Sequence, residues 1–471
     1  MSALKLPNGP QTHPWVQMYH WVTNPLEYIE DCAKRYGDIF TLQLGQNVAP
    51  QVFISNPQAI GQIFTTDPKQ LDSGKSAGIQ APLLGRQSLL ALEGKPHQRQ
   101  RKLLTPPLHG ERMLAYGELI CDITEQVTNQ WQVGETFAVL SSMQAISFQV
   151  ILKAVFGLED GPRYDKIHEL LIAILNPKIP ILRTVLLLFP SLRQDLGAWS
   201  PWGKYLRLRQ QIDELIYAQI RDASGGLRLR KTQPDPSRTD ILSLMMAARD
   251  EAGEPMTDLE LRDELMTLLV AGHETTATSL SWALYWIHHQ PQVREKLLQE
   301  LDKLGEQPDP NAIFRLPYLN AVCSETLRLY PVAVSGLNRL VKSPLQIGEY
   351  NFEPGTLIIP SIYLTHHRED LYPESKQFKP ERFLERQFSP YEYLPFGGGN
   401  RRCIGMAFAL FEMKLVLAKV LSHWEMELAD SKPVQPVRKG LLFSPAGGVK
   451  MVVTGKRQQN QVVRETSSSL L

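Results

Sequence analysis

The spacing of hydrophobic side chains predicts a chain built mostly from helices. Apolar residues recur every three or four positions, which is the period of an amphipathic helix. The stretches with this pattern are residues 26–36, 97–121 with a break near 106–107, 117–132, 140–157, 162–176, 203–223, 258–289, 292–304, 319–330 and 403–423. The longest of them, residues 258–289, has Thr257 or Asp258 as its candidate N-cap and Pro291 beyond its end.

Strand-forming sequence is a smaller part of the chain. Residues 39–44 and 51–55 are predicted as two short strands, and residues 332–364 are rich in strand formers. Residues 71–92 and the basic, polar stretch 224–239 have the composition of loops. The predicted fold class is therefore mainly α with a minor β region.

Composition and charge narrow the classes of protein. The chain has 471 residues, of which 43% are hydrophobic and 21% charged, as is usual for a globular protein. Its 50 Lys and Arg against 49 Asp and Glu give a net charge of +1, so nothing indicates nucleic-acid binding. No linker or internal repeat divides the chain, which favours one large domain. Four widely spaced cysteines predict no disulfide framework and suit a reducing compartment.

Membrane association is expected to be peripheral if it occurs. The N-terminus lacks the charged start and apolar core of a signal peptide, and no run of about 18 apolar residues predicts a transmembrane anchor. A cytoplasmic location follows as an expectation. Residues 170–190 are very apolar but are interrupted by two prolines, a lysine and an arginine. They are interpreted as the ends of core helices, a lid over a substrate channel or a peripheral membrane contact.

The most specific chemical feature is the segment FGGGNRRCIG at residues 396–405. It presents Cys403, without a second cysteine nearby, at a glycine-rich turn that leads into an apolar helix. A lone thiolate cannot build a four-ligand zinc site, but it can be the single axial ligand of a haem iron. A helix N-terminus stabilises a thiolate through its dipole and its unpaired N–H groups. Gly399 and Gly405 suit a tight turn and a close approach to a flat cofactor.

A second feature, AGHETT at residues 271–276, lies in the middle of the longest predicted helix. An acid followed by an alcohol is unfavourable there, which indicates function. Gly272 is expected to let a flat ring and a diatomic ligand approach, and Thr275 to bend or open the helical hydrogen-bond ladder. Glu274 and Thr275 could then relay protons to bound oxygen.

These segments resemble the cytochrome P450 family. Residues 396–405 fit its cysteine-loop pattern Phe-x-x-Gly-x-Arg-x-Cys-x-Gly, and residues 271–276 fit its long-helix pattern. The pair Glu325 and Arg328 and the segment PERF at 380–383 follow in the family's order and spacing. The chain therefore resembles a complete catalytic domain, expected as one domain over residues 1–455 with a disordered tail at 456–471.

The resemblance implies the cytochrome P450 fold, a helical prism in which haem b lies between the long central helix and the cysteine-loop helix. It implies Cys403 as the thiolate ligand of the iron. The further residues expected around the cofactor are Arg401, Arg101, His97 and Arg339 at the propionates, and Phe396, Ala271, Gly272 and Gly405 beside the ring and the thiolate. His97 stands where the family more often has Trp.

Other motif residues are given structural roles. The resemblance implies that Glu325, Arg328 and Arg382 form a buried triad behind the haem and hold the cysteine loop. The adjacent histidines at 288–289 and at 366–367 are interpreted as surface or packing residues, since neighbours on a helix point apart.

The implied function is a haem-thiolate monooxygenase that inserts one oxygen atom of O2 into a lipophilic substrate such as a fatty acid, terpenoid or steroid-like molecule. The chain is similar to soluble bacterial members and to the eukaryote-like, lipid-oxidising branch, and it is expected to be a monomer. No flavin-domain sequence is recognised among these residues, so electrons are expected to come from separate partners, most simply a ferredoxin and its reductase. The expected docking cations are Arg99, Lys102, Arg402 and Lys414. The alternative is a thiolate-haem sensor without turnover, against which the intact acid–alcohol pair argues.

Overall fold

The computed structural model describes residues 6–46, 48–73, 81–110, 113, 115–175, 192–223, 240–305, 307–440 and 442–457. The loop expected at 224–239, residues 458–471 of the expected tail and residues 176–190 of the apolar segment lie outside these ranges.

Helices account for most of the described chain. They are α1 (Pro14–Thr23), α2 (Pro25–Tyr36), α3 (Pro57–Thr65), α4 (Ala81–Leu84), α5 (Gly94–Leu104), α6 (Gly117–Thr128), α7 (Val139–Val150), α8 (Pro162–Leu175), α9 (Pro201–Ala223), α10 (Ile241–Ala247), α11 (Asp258–His289), α12 (Pro291–Asp302), α13 (Pro310–Phe314), α14 (Pro317–Leu329), α15 (Ile362–His366), α16 (Arg382–Glu385) and α17 (Met406–His423). Tighter 3-10 turns cover Pro106–Leu108, Gly399–Arg401 and Ala446–Gly448, and a π-helical turn covers Ile151–Val155.

The strands are short and form small sheets. They are β1 (Ile39–Leu42), β2 (Gln51–Ile54), β3 (Leu71–Asp72), β4 (Thr136–Ala138), β5 (Arg339–Val341), β6 (Leu345–Ile347), β7 (Tyr350–Phe352), β8 (Leu357–Pro360), β9 (Trp424–Leu428), β10 (Pro436–Lys439), β11 (Leu442–Pro445) and β12 (Lys450–Lys456). The largest sheet has the order β1-β2-β8-β5-β3, and its β2 and β8 run parallel. The others are β4-β12-β9 and the hairpins β6-β7 and β10-β11.

The predicted fold class, mainly α with a minor β region, is confirmed. The break predicted near residues 106–107 is confirmed: α5 ends at Leu104, a 3-10 turn covers Pro106–Leu108, and α6 begins only at Gly117. Some of the predicted ends of helices and of the domain differ from those in the structure. Helix α17 begins at Met406, so Cys403 precedes the helix. The folded part of the chain also extends past residue 455, the expected end of the domain. Strand β12 ends at Lys456, and Arg457 pairs with Asp302 at 2.7 Å.

Helix α11 is the central element of the main hydrophobic core. It packs against α7, α9, α14 and α17 and is buried along most of its length. Thr257 is its N-cap: the Thr257 hydroxyl accepts from Glu260 N–H at 3.2 Å, and the Glu260 carboxylate accepts from Thr257 N–H at 2.7 Å. This reciprocal capping box satisfies two N–H groups at the helix start. The predicted bounds of this helix, 258–289, are confirmed.

Gly272 of α11 lies against the π-helical turn. A Cβ atom built on Gly272 would be 2.4 Å from Cδ1 of Ile151. The glycine therefore lets α11 and the π-helical turn approach closely, a packing reason that its sequence motif did not indicate. No helix within the described ranges is both long enough and apolar enough to cross a membrane.

The contact between Gly272 and Ile151 gives a test by compensation. We expect Gly272→Ala to lower the free energy of unfolding by about 1–3 kcal/mol, because the added methyl overpacks the helix contact. Ile151→Val removes the Cδ1 atom that this methyl would meet. The double variant should therefore recover most of the loss, measured by denaturant unfolding with Ile151→Val alone as the control. A loss of haem binding by Gly272→Ala that Ile151→Val does not repair would instead assign the glycine to the cofactor.

Candidate active site

The segment around Cys403 is a closed loop. Gly397 N–H donates to Leu394 O, and Cys403 N–H donates to Phe396 O, both at 2.9 Å. Gly397 and Gly399 each have φ of +64°, a backbone conformation that side chains with a Cβ rarely adopt. The glycine-rich sequence therefore folds the chain back on itself before Cys403.

Two glycines of the loop are needed for packing against α3. A Cβ on Gly398 would lie 2.2 Å from Cε2 of Phe64, and one on Gly399 would lie 2.7 Å from the Phe64 carbonyl oxygen. Gly399 was expected to allow a close approach to a flat cofactor, but in the structure it lies against the backbone of α3. At Gly405 a Cβ would meet no heavy atom within 4 Å, so protein packing alone does not require a glycine there. Gly405 remains compatible with its predicted place beside a cofactor.

The Cys403 thiol is accessible although protein surrounds it. The residue is exposed, yet burial raises the pKa of its thiol, while the Gly405 N–H and the charges of Arg101 and Arg402 act in the opposite direction. These two properties together indicate that the Cys403 thiol faces a gap inside the protein. The Gly405 N–H and the nearby arginines favour the thiolate form, which is the form that binds metal.

Helix α11 has an accessible window at the predicted motif. Ala271 is exposed and residues 272–275 are half-buried, whereas the helix is mostly buried before and after them. Thr275 Oγ1 donates to Ala271 O at 2.6 Å. The helix is continuous here, so the ladder is not opened as the sequence suggested. The Thr275 hydroxyl instead donates to a backbone carbonyl one turn earlier in the helix, a local interaction that threonine commonly makes.

Glu274 pairs with a residue that the sequence did not indicate. Lys439, at the end of β10, places its Nζ 2.6 Å from Oε1 of Glu274. The Lys439 side chain is 42% exposed and that of Glu274 is 15% exposed. The pair therefore connects the half-buried window of α11 with solvent. His273 turns elsewhere: its ring packs edge-on against Phe148, with ring centroids 5.2 Å apart.

Cations gather next to the cysteine loop. His97 is buried, and after burial itself the charges of Arg401, Arg101 and Arg339 lower its pKa to about 3. Burial, followed by the charge of Arg401, lowers the pKa of Arg339 to about 10. Burial also lowers the pKa of Arg101, and the nearby Cys403 acts in the opposite direction. The structure thus brings the four predicted propionate ligands, His97 and Arg339 buried and Arg101 and Arg401 half-buried, into one electropositive region beside Cys403.

Backbone contacts hold this region in place. Arg401 donates through Nη1 to Leu89 O at 2.9 Å and through Nη2 to Leu92 O. The same Leu89 donates its N–H to Oε1 of Glu264 on α11 at 2.6 Å. Burial raises the pKa of Glu264 to about 8. The Leu89 peptide therefore links α11 to the cysteine loop, a connection with no motif in the sequence.

The predicted structural triad is present. Arg328 Nε and Nη2 donate to the two carboxylate oxygens of Glu325 at 2.6 and 2.8 Å, and both side chains are fully buried. Arg382 Nε reaches Oε1 of Glu325 at 3.1 Å. Arg328 Nη1 also donates to His366 O at 2.7 Å. This network joins α14 to the segment that precedes the cysteine loop.

Three of the four expected docking cations contact other residues of the protein, and a docking role stays a prediction. Arg99 pairs with Asp250 at 2.5 Å and Glu260 at 2.7 Å, and Lys102 pairs with Glu251 at 2.6 Å. Lys414 is buried and donates to Phe314 O at 2.9 Å. Of the four, only Arg402 is exposed and in contact with no carboxylate among the described residues. Charge counting could not show that Arg99 and Lys102 pair with carboxylates far away in the chain.

Haem b fits the residues that are present. Its two carboxylates would oppose the positive charge of the arginine cluster, and its iron would take the accessible thiolate. Arginine suits carboxylates because its planar guanidinium donates several hydrogen bonds. The fold and this chemistry define the class of haem-thiolate proteins.

Comparison with known proteins agrees with this class. The sequence matches the family "Cytochrome P450" over residues 7–451. It is 34% identical over 467 residues to "Putative cytochrome P450 135B1" of Mycobacterium tuberculosis, covering 99% of this chain and 95% of that protein. It is also 34% identical to "Putative cytochrome P450 138" of the same species, covering 89% and 90%. The solved structure "Retinoic acid bound cyanobacterial CYP120A1" is similar with a TM-score of 0.79 and 25% identity, covering 96% of this chain and 99% of that one.

The chain therefore belongs to the cytochrome P450 family. It is a P450 monooxygenase that binds haem through a cysteine thiolate.

The arginine cluster predicts how firmly the cofactor is held. We expect Arg339→Gln to raise the rate of haem loss about tenfold or more, because a charge-assisted hydrogen bond to a propionate contributes roughly 1.5–3 kcal/mol. Arg386→Gln is the control, since Arg386 is exposed and pairs with Glu392 at 2.7 Å. Transfer of haem to apomyoglobin measures the rate. Equal rates of haem loss in the two variants would contradict a role of Arg339 at the cofactor.

Proposed function

We propose that Cys403 is the axial ligand of haem b and that Arg101, Arg339, Arg401 and His97 hold its propionates. The observation that carries this proposal is the Cys403 thiol, accessible within the protein and adjoining a cationic cluster. Phe396, Ala271, Gly272 and Gly405 are assigned to the walls around the ring. The contact with Ile151 is a second possible reason for a glycine at position 272. The Gly272→Ala and Ile151→Val variants distinguish this packing role from a role at the cofactor.

The acid–alcohol pair is proposed to deliver protons. When bound, haem supplies the activation of O2 and the transfer of one oxygen atom. Thr275 Oγ1 is held by Ala271 O at 2.6 Å, at the accessible window of α11, where its hydroxyl can hold or pass on a proton. Glu274 stands next to it and pairs with Lys439, which reaches solvent. Protons from solvent can therefore enter through Lys439 and Glu274 and arrive at Thr275.

The proposed substrate is lipophilic, such as a fatty acid, terpenoid or steroid-like molecule. The segments expected by family position to contact the substrate, residues 265–271 and 332–336, are mostly apolar in sequence. Such a lining favours apolar ligands with few polar groups. The similar cyanobacterial protein is described as bound to retinoic acid, itself a lipophilic molecule.

The electron donors, the domain organisation and the oligomeric state of the protein complete the proposed function. We propose that a separate ferredoxin and its reductase supply electrons, that residues 1–455 act as one catalytic domain, and that the protein works as a cytoplasmic monomer. The match over residues 7–451 supports a single catalytic unit. Of the expected docking cations, Arg402 and Lys102 are the most exposed, Lys102 with a side chain 71% accessible.

Turnover with a surrogate ferredoxin, ferredoxin reductase and NADPH tests the proposal, with mass spectrometry across a library of fatty acids, terpenoids and steroids. We expect an oxygenated product from at least one class. In Thr275→Ala, product per NADPH consumed should fall about tenfold or more, because positioned proton transfer is lost. Thr275→Ser keeps the hydroxyl and should retain most of the coupling.

Two results would count against these assignments. Unchanged coupling in Thr275→Ala would remove Thr275 from proton delivery. A haem-loaded, reducible protein that oxygenates nothing in the library would favour a thiolate-haem sensor.

A further inference from the structure

His366 is fully buried at the end of α15, and both of its ring nitrogens have partners. Nδ1 lies 3.2 Å from the carbonyl oxygen of Arg328, the penultimate residue of its helix α14. Nε2 lies 3.0 Å from the backbone N of Leu394, which donates to it. The interpretation of this residue as a simple surface or packing histidine is therefore incomplete.

These partners fix the protonation of the ring. A backbone N–H can only donate, so Nε2 must carry the lone pair that accepts from Leu394. A carbonyl can only accept, so Nδ1 must carry the proton that it donates to Arg328 O. Burial and the charges of Arg328 and His367 hold the pKa of His366 well below its usual range, which agrees with a neutral ring.

The anchor of this imidazole is itself rigid. Arg328 Nη1 donates to the His366 carbonyl at 2.7 Å, so the two residues bind each other twice. Arg328 is fixed in turn by its two-pronged pair with the buried Glu325. Tyr393 stacks on the His366 ring with centroids 5.5 Å apart and donates its hydroxyl to Ser324 O at 3.1 Å. Consecutive residues, Tyr393 and Leu394, are thus attached to α14.

Leu394 is the residue at which the cysteine loop begins. Its carbonyl accepts from Gly397 N–H at 2.9 Å, and the loop closes where Cys403 N–H donates to Phe396 O at 2.9 Å. We propose that neutral His366 is a positioning residue for the Cys403 thiolate, holding the start of the cysteine loop on α14 through the Leu394 N–H. This inference rests on the proposed assignment of Cys403 as the haem ligand.

A matched pair of amide variants separates the two contacts of the ring. In His366→Gln the amide oxygen can reach the position of Nε2 and accept from Leu394. In His366→Asn the shorter amide can reach only the position of Nδ1 and keep the contact with Arg328. The readout is the reduced carbon-monoxide spectrum, in which thiolate-ligated iron gives a red-shifted Soret band. We follow the rate at which this band is lost under mild denaturant, together with the midpoint potential of the iron.

We expect His366→Asn to lose the thiolate band about tenfold faster than wild type, because a buried N–H is left without its acceptor. His366→Gln should stay within about twofold of wild type, since the cost of an unmade hydrogen bond is avoided. The midpoint potential should shift in the Asn variant alone. His367→Gln is the control: His367 Nδ1 contacts Tyr363 O at 2.8 Å, on its own helix, and this variant should keep the band and the potential.

Equal behaviour of the Asn and Gln variants, or a more stable band in Asn, would overturn the inference. If neither variant takes up haem, hydrogen exchange in the wild-type holoprotein decides. A slowly exchanging Leu394 amide supports the contact, and exchange as fast as at the exposed Asn400 overturns it. A wild-type protein without the thiolate band would overturn the ligand assignment and this inference with it, a result that is distinguishable because it precedes any substitution.

Discussion

The concentration of buried and half-buried arginines beside Cys403 is the constraint on which the site depends. Burial and, after it, the charges of Arg401, Arg101 and Arg339 lower the pKa of His97 to about 3. Gathering cations in the interior costs free energy unless opposite charge or hydrogen bonds offset it. Carbonyls of Leu89 and Leu92 take part of this role for Arg401, and the carbonyl of Leu337 does so for Arg339. A dianionic cofactor would offset the remaining charge and would make its own binding part of the stability of the fold.

A second group of buried charges, behind the cysteine loop, is compensated within the protein. Glu325 receives hydrogen bonds from Arg328, Arg382 and the backbone of Lys379. Removing one partner from such a network leaves an uncompensated buried charge, which is why networks of this kind fix geometry more than they add stability. The two groups therefore have different tasks: one is open to a ligand, and the other holds the loop that presents the thiolate.

The sequence predicted the parts of this arrangement that depend on neighbours along the chain. The bounds of α11 and its N-cap at Thr257 followed from apolar periodicity and local capping chemistry. Cys403 and the Glu325–Arg328 pair were found because their motifs are short and specific. The contact of Lys439 with Glu274, the contact of Gly272 with Ile151 and the bond of Leu394 to His366 join residues far apart in sequence. Only folding brings these residues together, so no local pattern could indicate them. The same reason explains why the sequence did not indicate the ion pairs of Arg99 and Lys102.

The reduced carbon-monoxide spectrum of the haem-loaded protein tests the central claim, that Cys403 supplies the thiolate ligand, most directly. We predict a strongly red-shifted Soret band in wild type that disappears in Cys403→Ser, while Cys323→Ser, which changes a buried cysteine of α14, keeps it. A red-shifted band that survives Cys403→Ser would contradict the assignment.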